Sequence, residues 1–178
     1  MRRYLVVANQ TLGGERLLDA VRSRMAAGPC HFHVLVPATP TDRLDPGYLH
    51  EVTGHLQHAG GGDPEELRLA RLLLEDEVHV EQVHQRAEDT GRALARQRLR
   101  EALEHLRTLG ADADGEVGVA DPVEAIEVTM HRHEFDEIIL STLPGASSRW
   151  LAMDLPSRVR RAFKLPVTQV TGPGSTTG

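Results

Sequence analysis

The fold is decided by residues 136–170, which have the sequence DEIILSTLPGASSRWLAMDLPSRVRRAFKLPVTQV. The apolar run at residues 138–140 is typical of a short strand that is buried on both faces. Residues 141–150 contain the small residues, proline and glycine of a loop. Helical spacing returns at residues 157–163, and a second short strand is expected at residues 167–170 after a proline. This stretch therefore predicts a strand, a loop, a helix and a strand.

The rest of the chain repeats the same alternation of short apolar runs and helical segments. Further strands are predicted at residues 4–8, 31–36 and 115–119, and helices at residues 15–27, within 65–109 and from Pro122. Helices between buried strands require parallel pairing and right-handed crossovers. We predict an α/β, Rossmann-like fold, a doubly wound five-stranded parallel sheet in the order 3-2-1-4-5, with the first strand at its centre.

The chain of 178 residues is short enough for one domain. We predict a single α/β domain over residues 1–170, with a loop and helical insertion at about 40–88 after the second strand. The Gly- and Pro-rich composition of the early insertion supports this boundary. Residues 171–178 are expected to form a flexible tail. Whether residues 65–109 form one helix or two is open, because Gly91 weakens the middle of the helical pattern.

Composition excludes several classes of protein. The net charge of −6 and the pI of about 5.9 argue against bulk nucleic-acid binding, which needs a basic face. A single cysteine, Cys30, excludes an internal disulfide framework and a Cys-rich zinc site. The apolar run at the start is too short for a signal peptide, and no stretch is long enough to span a membrane. We therefore expect a cytoplasmic protein without a nucleic-acid or membrane partner.

Three stretches together resemble the universal stress protein family of the adenine-nucleotide α-hydrolase-like fold group. They are YLVVANQT at residues 4–11, VADPVEAI at 119–126, and FDEIILST at 135–142 continued by RVRRAFKLPVTQV at 158–170. They correspond to the first strand, the strand–helix junction and the last strand–loop–helix–strand of that family. The resemblance implies a stress-response or signalling protein that forms a homodimer. The fifth strand, at residues 167–170, is an apolar edge strand, and exposed edges invite pairing, so we expect the dimer to form through this strand or its helix.

The glycine motif of the ATP-binding members is not retained. That motif is Gly-x-x-Gly, nine residues, then Gly-Ser or Gly-Thr, and its glycines let backbone amides approach the phosphates. Ser141, Pro144, Asp154 and Leu155 stand at the matching positions, and Asn9 replaces the usual Asp of the first strand. Proline lacks an amide hydrogen, and a carboxylate repels phosphate. We predict weak or undetectable ATP binding and no hydrolysis, and ATP or another adenine nucleotide is the cofactor that the resemblance implies.

A binding site is expected at the carboxyl edge of the sheet, where doubly wound folds hold their ligands. Small polar groups, loop amides and one arginine there are suited to a polar or anionic ligand. The alternative is an ordinary polar loop whose side chains bond to their own backbone. The predicted binding residues are Asn9, Gln10, Thr11, Ala38, Asp121, Ser141, Thr142, Gly145, Ser147, Ser148 and Arg149.

Catalytic and metal motifs are not found in the sequence. A Gly-x-Ser-x-Gly elbow, a His-x-Glu-x-x-His helix and a phosphate loop are all missing. Asp121 precedes Pro122 and is expected to cap a helix instead of acting as a catalytic acid. The ten histidines form close pairs at His31 and His33, His55 and His58, and His131 and His133. These pairs lie on separate elements, so no metal site is predicted, and His33 is a candidate for a core histidine.

The leading functional hypothesis is a non-catalytic cytoplasmic stress-response or signalling protein that binds a small polar or nucleotide ligand. One alternative is a nucleotide-binding or nucleotide-hydrolysing enzyme of the same fold group. A second is a structural adaptor that acts through the helical insertion. The sequence leaves the ligand, the signal and the partner of the insertion open.

Overall fold

The computed structural model describes part of the chain. The described residues are 1–8, 14–38, 80–142 and 154–171, with the backbone alone for residues 80–87. The chain divides into two compact units, Met1–Ala38 with Ala95–Gly178, and Thr39–Leu94. Most of the predicted insertion and the predicted tail lie outside the described residues, so the predicted domain organisation stays a prediction.

Strands and helices alternate along the described chain. They are β1 (Arg2–Ala8), α1 (Glu15–Ala26), β2 (Cys30–Pro37), α2 (Val80–Thr108), β3 (Ala113–Gly118), α3 (Pro122–Arg132), β4 (Glu137–Thr142), α4 (Leu155–Ala162) and β5 (Val167–Thr171). The strands form one sheet in the order β3-β2-β1-β4-β5. All four strand pairs are parallel. The predicted α/β fold and strand order are confirmed, with β1 at the centre.

Two apolar layers cover the two faces of the sheet. On one face, Val6, Val34 and Ile139 pack with residues of α1 and α2 such as Val21 and Ala102. The other layer contains Leu5, Leu35, Leu140 and residues of α3 and α4. Successive strand residues point to opposite faces, so an apolar run fills both layers at once. This explains why the central strands do not show the alternation of polar and apolar residues that is typical of a strand with one exposed face.

Two helices show how local sequence sets their limits. The α3 helix begins with Pro122, whose missing amide hydrogen costs nothing in the first turn, and Asp121 caps it. The α2 helix runs through Gly91 without interruption from Val80 to Thr108. Over residues 80–108 the helical segment is therefore a single helix, and its glycine does not break it.

Several element boundaries differ by one or two residues from those predicted, among them those of β3 and α4. The β3 strand spans Ala113–Gly118, so it starts earlier than expected, and Val119 lies outside it with 40% of its surface exposed. The α4 helix starts at Leu155 instead of residue 157, because Pro156 lies in its first turn, where proline is compatible with a helix. The β3 strand is only partly buried and carries alternating charged residues, which local hydrophobicity does not identify as a strand.

Candidate functional site

The carboxyl edge of the sheet contains the switch point of the fold. β1 and β4 are neighbours, and Ala8 is paired with Ser141 near their carboxyl ends. α1 and α2 pack on one face of the sheet, whereas α3 and α4 pack on the other. The chain therefore leaves β1 and β4 toward opposite faces. In doubly wound sheets this divergence opens the crevice in which ligands bind.

The structure describes four of the eleven predicted binding residues, and all four lie at or just beyond the carboxyl ends of strands. Ser141 and Thr142 end β4, Ala38 follows β2, and Asp121 precedes α3. The other predicted residues, Asn9, Gln10, Thr11, Gly145, Ser147, Ser148 and Arg149, lie outside the described residues. The sheet thus brings the described four to one edge, and the binding role of all eleven stays a prediction.

Ser141 is the unusual polar group of this edge. It is 1% exposed, and its Oγ has no hydrogen-bond partner among the described residues. Thr142, equally buried, accepts a hydrogen bond of 3.5 Å from Gln169 Nε2 on β5. Buried hydroxyls in folded proteins are almost always hydrogen-bonded. The partner of Ser141 is therefore a group outside the described residues, an ordered water or a bound ligand.

Asp121 has a structural role in this edge. Its Oδ1 accepts hydrogen bonds from the backbone amides of Val123, at 2.9 Å, and Glu124, at 3.0 Å. Its Oδ2 lies 3.8 Å from Nη2 of Arg158 on α4. The helix-cap interpretation is confirmed, and the first amides of α3 are already occupied. The predicted list omitted Arg158, a cation that the packing of α4 beside α3 brings to this edge.

Asp154 has a left-handed backbone conformation, which is more common for glycine. Its φ of 50° and ψ of 39° are left-handed, a region that Asp tolerates better than most residues but that glycine enters freely. Asp154 stands where the resemblance places the third glycine of the nucleotide motif. The Asp154 carboxylate oxygen Oδ2 lies 3.9 Å from Nη2 of exposed Arg161.

A second polar cluster lies at the amino edge of β2 and β3. His31 Nδ1 is 3.0 Å from Asp112 Oδ2, and its Nε2 is 3.1 Å from Asp114 Oδ1. Burial alone would lower the pKa of His31, but hydrogen bonds to the two carboxylates and their charges raise it above its usual value. Burial would likewise raise the pKa of Asp114, and the two histidines outweigh that effect and lower it. Asp114 is therefore an ionised acceptor.

His33 extends this cluster into the protein. Its Nδ1 lies 2.5 Å from Asp114 Oδ1, and its side chain is only 6% exposed. Its Nε2 is buried without a hydrogen-bond partner among the described residues and lies 3.8 Å from Glu116 Oε1. The ring of His133 packs against it with 5.0 Å between centroids. The interpretation of His33 as a buried histidine is confirmed, and it also belongs to a polar cluster.

The carboxylates of this cluster were missed from the sequence. The predicted third strand began at residue 115, which placed Asp112 and Asp114 in a loop. The signal is a pair of matching patterns, His31-x-His33 and Asp112-x-Asp114-x-Glu116. In a strand, residues two apart point to the same face, and the register pairs His33 with Asp114.

Cys30 shows no sign of reactivity. Its thiol is free and partly buried. Burial and the charge of Asp112 raise the pKa of the thiol, which disfavours the nucleophilic thiolate.

Comparison with solved structures finds several similar chains. One of them, a universal stress protein from Archaeoglobus fulgidus, aligns with 14% identity over 95% of this chain and 93% of its own, with a TM-score of 0.45. It belongs to the family that the sequence resembles. No protein-family description matches the sequence, and no curated protein matches it. Among the described residues, no helix is both long enough and apolar enough to cross a membrane.

Proposed function

We propose that this protein is a non-catalytic stress-response or signalling protein that binds a small polar or anionic ligand between the carboxyl ends of β1 and β4. The observation that carries the proposal is the buried Ser141 Oγ without a partner among the described residues, located at the switch point. A ligand group that bonds to this hydroxyl would satisfy it. The stress-response role rests on the sequence resemblance, and the proposed cytoplasmic location rests on the sequence analysis.

ATP is a poor candidate for this ligand. The Asp154 carboxylate stands at a glycine position of the motif, and Pro144 has no amide hydrogen to donate. Each unmade or repulsive contact to a charged oxygen costs on the order of 1–3 kcal/mol. Two such losses weaken binding by roughly a hundredfold or more. We therefore propose weak or undetectable ATP binding and no hydrolysis, with a smaller ligand preferred.

The experiment is mass spectrometry of small molecules released from the purified protein. The wild type should release a polar compound in near-stoichiometric amount, and Ser141→Ala should release several-fold less. Thr108→Ala is the matched control, because its hydroxyl bonds to the His105 carbonyl at the end of α2 and lies away from this edge. Equal ligand content in Ser141→Ala and the wild type would remove the main support for the site.

Isothermal titration with ATP separates binding from turnover. Micromolar ATP binding that both Asn9→Ala and Arg149→Ala abolish would overturn the proposal of an altered pocket. ATP turnover that a single pocket substitution abolishes would instead establish the enzyme of the same fold group. If neither a ligand nor turnover is found, the adaptor alternative becomes the stronger one.

The proposed assembly is a homodimer through β5 or α4. β5 is the last strand of the sheet and pairs only with β4 within the described chain. Exposed strand edges are prone to pairing with another chain, and a two-fold axis is the commonest arrangement. Light scattering at high micromolar concentration should give the dimer mass, and a monomer would contradict this arrangement.

A further inference from the structure

We propose that His31, His33 and Asp114 bind a divalent transition-metal ion of the zinc class at the amino edge of β2 and β3. One nitrogen or oxygen atom from each of the three side chains lies within 4.8 Å of the others. Two imidazoles and a carboxylate are an established ligand set for zinc sites that keep a position open to water. This site lies at the opposite end of the strands from the proposed ligand crevice and does not depend on it.

The position of His33 is the first argument. Its Nδ1 lies 2.5 Å from Asp114 Oδ1, so both atoms can reach one ion after a small adjustment. Its Nε2 is buried without a hydrogen-bond partner among the described residues, 3.8 Å from Glu116 Oε1. A metal on Nδ1 would place the ring proton on Nε2, where it faces the Glu116 carboxylate.

His31 provides the second argument. With Nε2 directed at Asp114, its Nδ1 lies 3.0 Å from Asp112 Oδ2. Metal-binding histidines usually donate their second N–H to a carboxylate or carbonyl, which fixes the ring and its tautomer. Asp112 is placed for that role toward His31, and Glu116 toward His33. Glu116 is itself held by Thr129 Oγ1 at 2.6 Å and Arg132 Nη2 at 2.9 Å.

The charge of the cluster and its access to solvent also favour a metal cation. The three carboxylates of Asp112, Asp114 and Glu116 outnumber two nearby guanidinium groups, that of Arg132 on Glu116 and that of Arg3, which lies over the Phe135 ring beside His33. A cation therefore reduces the excess of carboxylates over guanidinium groups. The Asp114 side chain is 61% exposed, which gives solvent a path to the site and lets the carboxylate widen its short contact with His33. Imidazole nitrogens favour zinc-class ions over magnesium and calcium, which prefer oxygen ligands.

Isothermal titration with zinc chloride on the full chain near neutral pH tests the site. The wild type should bind one equivalent at this site with micromolar or tighter affinity. Asp114→Asn, an exposed isosteric change that leaves the core intact, should remove that equivalent, as should His31→Gln. Asp112→Asn should weaken it roughly ten- to a hundredfold. His131→Gln is the control, because exposed His131 contacts only the Glu127 carbonyl, at 2.8 Å, in the described structure.

Nitrogen-15 NMR of the histidine rings provides a second readout that folding defects do not imitate. In the zinc-saturated wild type, His33 should carry its proton on Nε2 with Nδ1 bound to metal. The proposal is overturned if Asp114→Asn and His31→Gln bind zinc as the wild type does, or if His33 keeps its Nδ1 proton at saturation. It is also overturned if the wild type binds no zinc, because the cluster is then a hydrogen-bonded group without a metal ion.

Discussion

The two edges of the sheet differ in the kind of observation that points to a site. At the carboxyl edge, the reversal of strand order marks the proposed binding crevice, and the hydroxyl of buried Ser141 has no partner among the described residues. At the amino edge the polar side chains already contact one another across the strands, as in the cluster of His31, His33 and Asp114. Topology alone therefore locates the first site, whereas the second is visible only from the chemistry of adjacent side chains.

The edges are also far enough apart to be tested separately. A strand of the seven residues of β1 spans roughly 20 Å at about 3.3 Å per residue. Substitutions separated by this distance usually have additive effects. Changes at one edge should therefore leave binding at the other unaltered, and the predictions below use this separation.

The largest expected effect is that of Gly115→Ala in β3. A Cβ at this position would lie 2.3 Å from the Val34 carbonyl oxygen and 2.8 Å from Leu99 Cδ1, so β2 and β3 must move apart. We expect a loss of about 3 kcal/mol in the free energy of unfolding, at the upper end of overpacking effects. Urea denaturation measures it. In the fraction of Gly115→Ala that still folds, zinc affinity should fall, while any ligand at the β1–β4 crevice should stay bound. An unchanged zinc affinity would show that the cluster does not need the pairing register of β2 with β3.

A somewhat smaller loss is expected for Arg24→Met. The Arg24 guanidinium forms an ion pair with Glu137 and donates to Thr168 Oγ1 at 3.2 Å, joining α1 to β4 and β5 at the amino edge. Removing one partner of a buried pair costs about 3–5 kcal/mol. We expect about 2–3 kcal/mol here, because the two side chains keep 16% and 18% exposure. Thermal denaturation is the measurement, and Arg22→Met, which removes an exposed pair with Asp19, is the matched control.

The same network predicts how stability depends on pH. Burial would raise the pKa of Glu137, but hydrogen bonds from Arg24 and Thr168 and the nearby positive charges lower it below its ordinary value. A carboxyl whose pKa is lower in the folded state adds stability above its unfolded pKa, and this is lost as pH falls through the folded value. Glu137→Gln should therefore be less stable than the wild type at neutral pH, with the difference shrinking in acid. A difference that is constant from neutral pH into acid would contradict this assignment.

At the carboxyl edge, Asp121→Ala should cost about 1 kcal/mol by removing the cap of α3. Asp121→Asn keeps an oxygen that accepts from the amides of Val123 and Glu124, so it should be nearly neutral. Urea denaturation of both variants gives the comparison. If Asp121→Asn also loses ligand while staying stable, Asp121 contacts the ligand in addition to capping the helix.

The smallest effect on stability is expected for Asp154→Gly. Glycine relieves the left-handed backbone but makes the unfolded chain more flexible, and these effects nearly cancel, within about 0.5 kcal/mol. ATP affinity should rise by about tenfold, because one repulsive contact to phosphate is removed. Isothermal titration measures the gain. Asp154→Asn should reproduce most of it, since it removes the charge alone; no gain in either variant would show that this residue does not face the ligand.

The sequence by itself was sufficient to predict a parallel α/β sheet. The apolar runs of β1, β2 and β4 are long enough to fill both core layers, and helices between them leave parallel pairing as the solution. The cap at Asp121 was also predicted, because Asp followed by Pro is a local signal. These features depend on neighbouring residues, which is why sequence periodicity finds them.

Tertiary structure alone decided which polar groups meet. His33 and Asp114 are separated by 81 residues, and they become neighbours through the register of β2 against β3. Arg24 and Glu137, which form an ion pair, are 113 residues apart. A change of one residue in register would send each side chain to the other face of the sheet. Local pattern does not fix that register, so the site chemistry follows from packing between distant strands.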